Sequence, residues 1–180
     1  MKEIYHYSKQ TVYSLLIISL LAGCSSNKKD RGTTEITASS PANTTQVIPL
    51  PKAFAHNDYA HEKPLFDALA NGFTTIEADI HLIDGELYVT HDPPASLDDV
   101  STLKELYLDP LRQVISDNKG FVYPGYNASV YLMIDFKTEA ESTYAILRKQ
   151  LMEFSNILSS PSGIGTDTKP VIIFISGLTR

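Results

Sequence analysis

Beyond residue 50 the chain switches repeatedly between two hydrophobic periods, one of two residues and one of three to four. Residues 52–56 (KAFAH) read as a short strand that ends in His56. Pro64 opens a helix at a position proline tolerates. Leu65, Phe66, Ala68 and Leu69 form its apolar face and Asn71-Gly72 its C-cap. In the stretch 74–93 (TTIEADIHLIDGELYVTHDP) Ile76, Ala78 and Ile80 point to one side of a strand, Glu77 and Asp79 to the other. Asp84-Gly85 marks a tight turn, and a second strand over 87–90 delivers His91-Asp92 before Pro93-Pro94 stops it. A helix is predicted over 97–108. Asp109-Pro110 then reads as N-cap and first residue of another helix that closes near 118–120. Residues 130–137 (VYLMIDFK) are a strand with Leu132, Ile134 and Phe136 on one face and Asp135 and Lys137 on the other. Leu147, Leu151, Phe154 and Leu158 give 139–158 a helical stripe. The unbroken apolar run 170–176 (PVIIFIS) suits a strand covered on both faces.

Strand–helix alternation of this kind predicts an α/β fold with a parallel sheet. The polar residues gather where strands end, which is where (β/α)8 barrels keep their chemistry. Such a barrel needs about 250 residues, so 51–180 are expected to supply only about the first half of a TIM (β/α)8-type barrel. Two carboxylates on an otherwise apolar strand are costly to bury without a cation or hydrogen-bond donors. With His91 at the end of the linked strand, Glu77 and Asp79 point to a catalytic metal site.

The N-terminal pattern differs. Lys2 and Lys9 precede an apolar run over 12–21 broken only by Ser14 and Ser19, the form of a secretory signal and too short for a membrane span of roughly 20 residues. Leu21-Ala22-Gly23-Cys24 resembles the bacterial lipobox, so 1–24 are expected to be a lipoprotein signal with Cys24 lipidated, placing the protein in a bacterial cell envelope on a lipid anchor. Cys24 is the single cysteine of the 180 residues, which excludes an intrachain disulfide. Residues 25–50 are rich in Ser, Thr, Asn and Lys and read as a flexible tether. A net charge of −6 with no Lys/Arg run excludes a nucleic-acid footprint.

His56, Glu77-Ala78-Asp79, Asp84-Gly85 and His91-Asp92-Pro93 together resemble the glycerophosphodiester phosphodiesterases, within the wider group of phospholipase C-like phosphodiesterase barrels. The resemblance implies that Glu77, Asp79 and Asp135 hold one divalent cation, Ca²⁺ or Mg²⁺. It implies that Lys137 faces the substrate phosphate, and that His56 and His91 share the general-acid and general-base roles. The implied substrate is a phosphodiester small molecule or a lipid head group. Where the family usually has Arg-Gly after its first histidine, this chain has Asn57-Asp58. Asn57 can donate to a phosphate oxygen but carries no charge. Asp135 is one methylene shorter than the more usual Glu.

The chemistry is consistent with that likeness. Phosphodiester hydrolysis needs charge balanced on the non-bridging oxygens, which a hard cation held by oxygens supplies, and two proton transfers, which two histidines can divide. An amidohydrolase-type centre would want a His-x-His pair after the first strand, which His56-Asn57-Asp58 lacks. The alternative is an inactive or truncated surface lipoprotein that keeps a metal- and phosphate-binding site. Among the remaining polar residues, His81 is expected in a loop just past the strand, Asp92 either orients His91 or caps a loop, and Asp98-Asp99 mark a helix start. Tyr123 and Tyr126 are expected on a loop surface.

Overall fold

Period-two alternation becomes a sheet with two different faces. The computed structural model describes residues 46–161 and 166–177. The leader 1–24 and most of the tether 25–50 lie outside them. Strand β1 (Leu50–Ala55) runs parallel to β2 (Phe73–Ile83), β2 to β4 (Val130–Phe136), and β4 to β5 (Val171–Gly177). The hairpin strand β3 (Glu86–Val89) returns antiparallel along the far end of β2. The fold is therefore mixed α/β around one five-stranded sheet. Ile80 pairs with Phe136 on one edge and Val89 on the other, so β1 and β3 flank the same edge of β2 in succession. The hairpin turn is Asp84 at φ 50° and Gly85 at φ 86°, the doubly positive turn that suits right-twisted strands.

One face of the sheet carries the core. Ile76, Ala78, Ile80, Leu132, Ile134 and Phe136 are buried, as are Leu65, Leu69, Leu111 and Leu147 from α1 (Phe66–Ala70), α2 (Asp109–Asp117), α3 (Ala140–Met152) and their approaches. The other face is split. Its upper part bears Glu77, Asp79 and Asp135, while lower down Phe54, Tyr131 and Phe174 are 43%, 42% and 39% exposed.

Helix boundaries depart from the periodicity. Residues 97–101 are not helical, so Asp98-Asp99 start no helix; Asp98 accepts instead from the Ser96 hydroxyl. A π turn, Lys104–Leu108, runs directly into α2, and Asp109 is helical (φ −67°, ψ −45°) rather than a cap. Pro110 explains this: it has no N–H for the Leu106 carbonyl and its ring would strike that carbonyl in a regular helix, and the wider turn relieves both. α1 begins at Phe66 rather than Pro64, and Phe66 faces solvent at 50% exposure. α3 stops at Met152, although Phe154 and Leu158 beyond it stay buried. Tyr123 is buried, its hydroxyl donating to the Phe73 carbonyl, so it is no loop-surface residue.

Gly72 sits at φ +82°, and a Cβ there would strike the Ile48 carbonyl oxygen. Gly72→Ala combines that collision with the left-handed penalty of about 1–2 kcal/mol. It is expected to lower stability by at least about 2 kcal/mol in urea denaturation.

Candidate active site

Parallel pairing decides which side chains meet. Asp79 of β2 stands opposite Asp135 of β4, and Asp135 opposite Ser176 of β5, all on one face. Lys137, just past β4, crosses back so that its Nζ lies 3.0 Å from Asp79 Oδ2 and 2.8 Å from Asp135 Oδ2. The Ser176 hydroxyl donates to Asp135 Oδ1 at 2.6 Å, and the Tyr59 hydroxyl to Asp79 Oδ2 at 2.8 Å. Two residues back along β2, Glu77 Oε2 accepts from the Asn57 N–H at 2.9 Å and lies 3.4 Å from His56 Nε2.

Burial and pairing compete at these groups. Burial pushes Asp135 upward, but hydrogen bonds from Lys137 and Ser176, with the charges of Lys137 and His91, hold its carboxyl below the ordinary 3.8. Burial pushes Lys137 down, and the two aspartates more than reverse it. Tyr59 is raised by burial and then by its bond to Asp79 and the surrounding carboxylates, so its hydroxyl stays a donor. Asp79 is wholly buried, and its Oδ1 has no hydrogen-bond partner.

His91 follows β3 at the same end of the sheet, with its Nδ1 3.2 Å from Asp92 Oδ1. Thr90 ties this segment down by donating its N–H to the Asp79 carbonyl at 3.1 Å. His81 is not a loop residue. It lies within β2, 5% exposed, with Nε2 3.2 Å from the His91 carbonyl oxygen, so it supports the backbone that carries His91. The strand is longer than predicted because β3 pairs with it as far as Ile83.

Two aspartates, a lysine and a glutamate are thus gathered on one face, with His56 beside Glu77 and His91 within electrostatic reach of Asp135. Among the described residues no three His, Cys, Asp or Glu side chains stand close enough to enclose one ion. Lys137 takes the space between Asp79 and Asp135. The donor chemistry still fits a hard cation, since every candidate ligand is a carboxylate and the buried Asp79 Oδ1 lacks a partner. Tyr59, Asp58 and Ser176 were not singled out by pattern. Ser176 alone left a trace, as the first polar residue after the apolar run of β5.

Acids, a lysine and a histidine thus stand at the C-terminal ends of the parallel strands, the end of a parallel α/β sheet where ligands bind. The chain belongs to the AIM6-like phosphodiesterase domain family, whose model matches residues 42–180. It is similar to Altered inheritance of mitochondria protein 6 of Lachancea thermotolerans, 37% identical over 118 residues covering 58% of this chain and 27% of that protein. The protein of that name in Saccharomyces cerevisiae strain YJM789 is 35% identical over 126 residues, 63% of this chain and 32% of that one. For the Arthroderma benhamiae homolog the figures are 30%, 126 residues, 60% and 40%. The chain thus spans about a third of the length of the curated relatives it matches. No solved structure matches it.

These relatives are yeast and fungal proteins, which overturns the expectation of a bacterial envelope lipoprotein. That expectation rested on the signal-like run over 2–21 and the short string at 21–24, all of it outside the described residues. No helix among the described residues is long and apolar enough to cross a membrane.

Proposed function

We propose that the protein is a metal-dependent phosphodiester hydrolase acting on glycerophosphodiester or phospholipid-type substrates. In this reading the sheet is the first half of a (β/α)8 barrel whose interior is the face bearing Phe54, Tyr131 and Phe174. The observation that carries the proposal is the meeting of Asp79, Asp135 and Lys137 beside Glu77, with His56 next to Glu77. Glu77, Asp79 and Asp135 would hold one Ca²⁺ or Mg²⁺ by drawing closer together than they stand here, and the bound ion would neutralise charge on the phosphate. Lys137 spends two of its three N–H donors on aspartates and keeps one for a phosphate oxygen. Asn57 offers an uncharged donor at the end of β1. One histidine takes the proton of the attacking hydroxyl as its oxygen bonds to phosphorus. The other gives a proton to the alkoxide that departs as the ester P–O bond breaks.

The test is turnover of bis(p-nitrophenyl) phosphate and of glycerophosphodiesters by the full-length protein. EDTA is expected to abolish activity and Ca²⁺ or Mg²⁺ to restore it, and turnover indifferent to EDTA would refute the metal assignment. The same cation should stabilise the fold, by about 2.7 kcal/mol at a hundred times its Kd.

A further inference from the structure

The loop after β1 touches both carboxylates of β2. Asn57 is held in the left-handed region (φ 50°, ψ 43°), which turns its N–H onto Glu77 Oε2 at 2.9 Å. Two residues on, the Tyr59 hydroxyl reaches Asp79 Oδ2 at 2.8 Å. Asp58, between them, points the other way and is wholly buried. Its Oδ2 accepts from the Leu65 N–H at 2.6 Å and the Tyr107 hydroxyl at 2.9 Å. Leu65 is itself strained, at φ 64° and ψ −54°, with the Phe66 N–H 2.8 Å from the Pro64 carbonyl. That is a γ-turn of the rare hand, which a leucine keeps only where its surroundings over-determine it.

A buried carboxylate is expensive, and Asp58 is not fully compensated: its Oδ1 has no partner, and burial raises its pKa despite both donors. The expense secures a fixed loop. Tyr107 belongs to the π turn before α2, so Asp58 fastens the 57–65 segment to a different layer of the molecule.

We propose that Asp58 and Tyr59 are positioning residues of the site: Asp58 locks the loop onto Leu65 and Tyr107, and the locked loop aims the Asn57 N–H at Glu77 and the Tyr59 hydroxyl at Asp79. Each carboxylate is thereby gripped by one oxygen, Oε2 or Oδ2, and its second oxygen is held in a set direction. This accounts for Asn57-Asp58 after the first histidine. A glycine at 58 would have no side chain with which to anchor the loop. That the gripped carboxylates serve hydrolysis rests on the phosphodiesterase reading. The grip itself does not.

The test compares Asp58→Ala, Asp58→Asn and Tyr59→Phe in the full-length protein. In Asp58→Ala the Asn57 amide should exchange hydrogen about tenfold faster, the worth of one hydrogen bond to a charged group, while the β4 amides keep their protection. Asp58→Asn retains an oxygen for Leu65 and Tyr107 and should restore slow exchange at Asn57. In Tyr59→Phe, Asp79 loses the hydroxyl that fixes its Oδ2 and so holds Lys137 less rigidly, and acetylation of Lys137 by acetic anhydride should rise severalfold relative to Lys104. The kcat for bis(p-nitrophenyl) phosphate should fall about tenfold with KM little changed, as for an interaction made in the transition state. Unchanged exchange at Asn57 together with unchanged acetylation of Lys137 overturns the proposal. Shifts in both without turnover by the wild type would sustain the latch and refute the hydrolase reading. Should Asp58→Ala fail to fold, Tyr59→Phe decides alone, since it removes only a hydroxyl.

Discussion

Lys137→Met is expected to cost about 3 kcal/mol of folding stability when measured in EDTA, near the lower end of what breaking a buried ion pair costs. Methionine nearly matches lysine in length, so packing changes little and the effect is electrostatic. The ammonium bridges Asp79 Oδ2 and Asp135 Oδ2, and the two carboxylate side chains are 1% and 15% exposed. Without it two negative charges face each other across neighbouring strands. Tyr59 and Ser176 still donate one hydrogen bond to each aspartate, and Lys137 is itself 25% exposed, which keeps the loss from the upper end of the range.

The pH dependence has a definite sign. Asp135 is held below its ordinary 3.8 in the folded protein, so its pairing contributes stability above that value and loses it as pH falls through the lower folded value. The gap between wild type and Lys137→Met should therefore be full at neutral pH and narrow below 3.8, because protonated aspartates no longer need the ammonium. Added Ca²⁺ or Mg²⁺ should recover part of the loss in the variant. Urea denaturation across this range checks all three points. A neutral-pH loss below about 1 kcal/mol, the scale of an ordinary exposed pair, would show that Lys137 is not what holds the aspartates together.

Lys137 also shows what the sequence makes legible. Strand parity is a local property, so the shared face of Glu77 and Asp79, and that of Asp135 and Lys137, could be read from alternation alone. The relative register of β2 and β4 could not. It brings Asp79 opposite Asp135 through hydrogen bonds between segments more than fifty residues apart. Ser176 showed only as a polar residue ending an apolar run, since its role exists only once β5 is in register beside β4. His81 was misplaced because the strand outruns its own alternation, extended by a hairpin partner. The start of α2 was misread because Asp-Pro favours a helix N-terminus in isolation. A preceding turn wide enough to admit the proline is a less common solution. Asp58 stood in the sequence only as part of the loop after the first histidine, and its burial depends on Tyr107, forty-nine positions away.

His56→Ala and His91→Ala are each expected to lower kcat for bis(p-nitrophenyl) phosphate by about 10²–10⁴, the usual worth of a positioned acid or base. Neither should unfold the protein, since the two side chains are 68% and 59% exposed. Glu77, next to His56, keeps its bond from the Asn57 N–H. The loss should fall on kcat and kcat/KM alike, because in the proposed mechanism each imidazole would act in the transition state. The pH profile then separates the roles: the variant missing the base should lose the acidic limb of the wild-type bell, and the variant missing the acid its alkaline limb. The double variant should be little slower than the worse single one if both serve one concerted transfer, since residues acting as a unit are not additive. His91 acts electrostatically on Asp135 and His56 lies 3.4 Å from Glu77, so the two imidazoles are associated with different acids of the group. Turnover in either single variant within tenfold of wild type would remove that histidine from the reaction, leaving the carboxylates and Lys137 as a binding site without its acid–base pair.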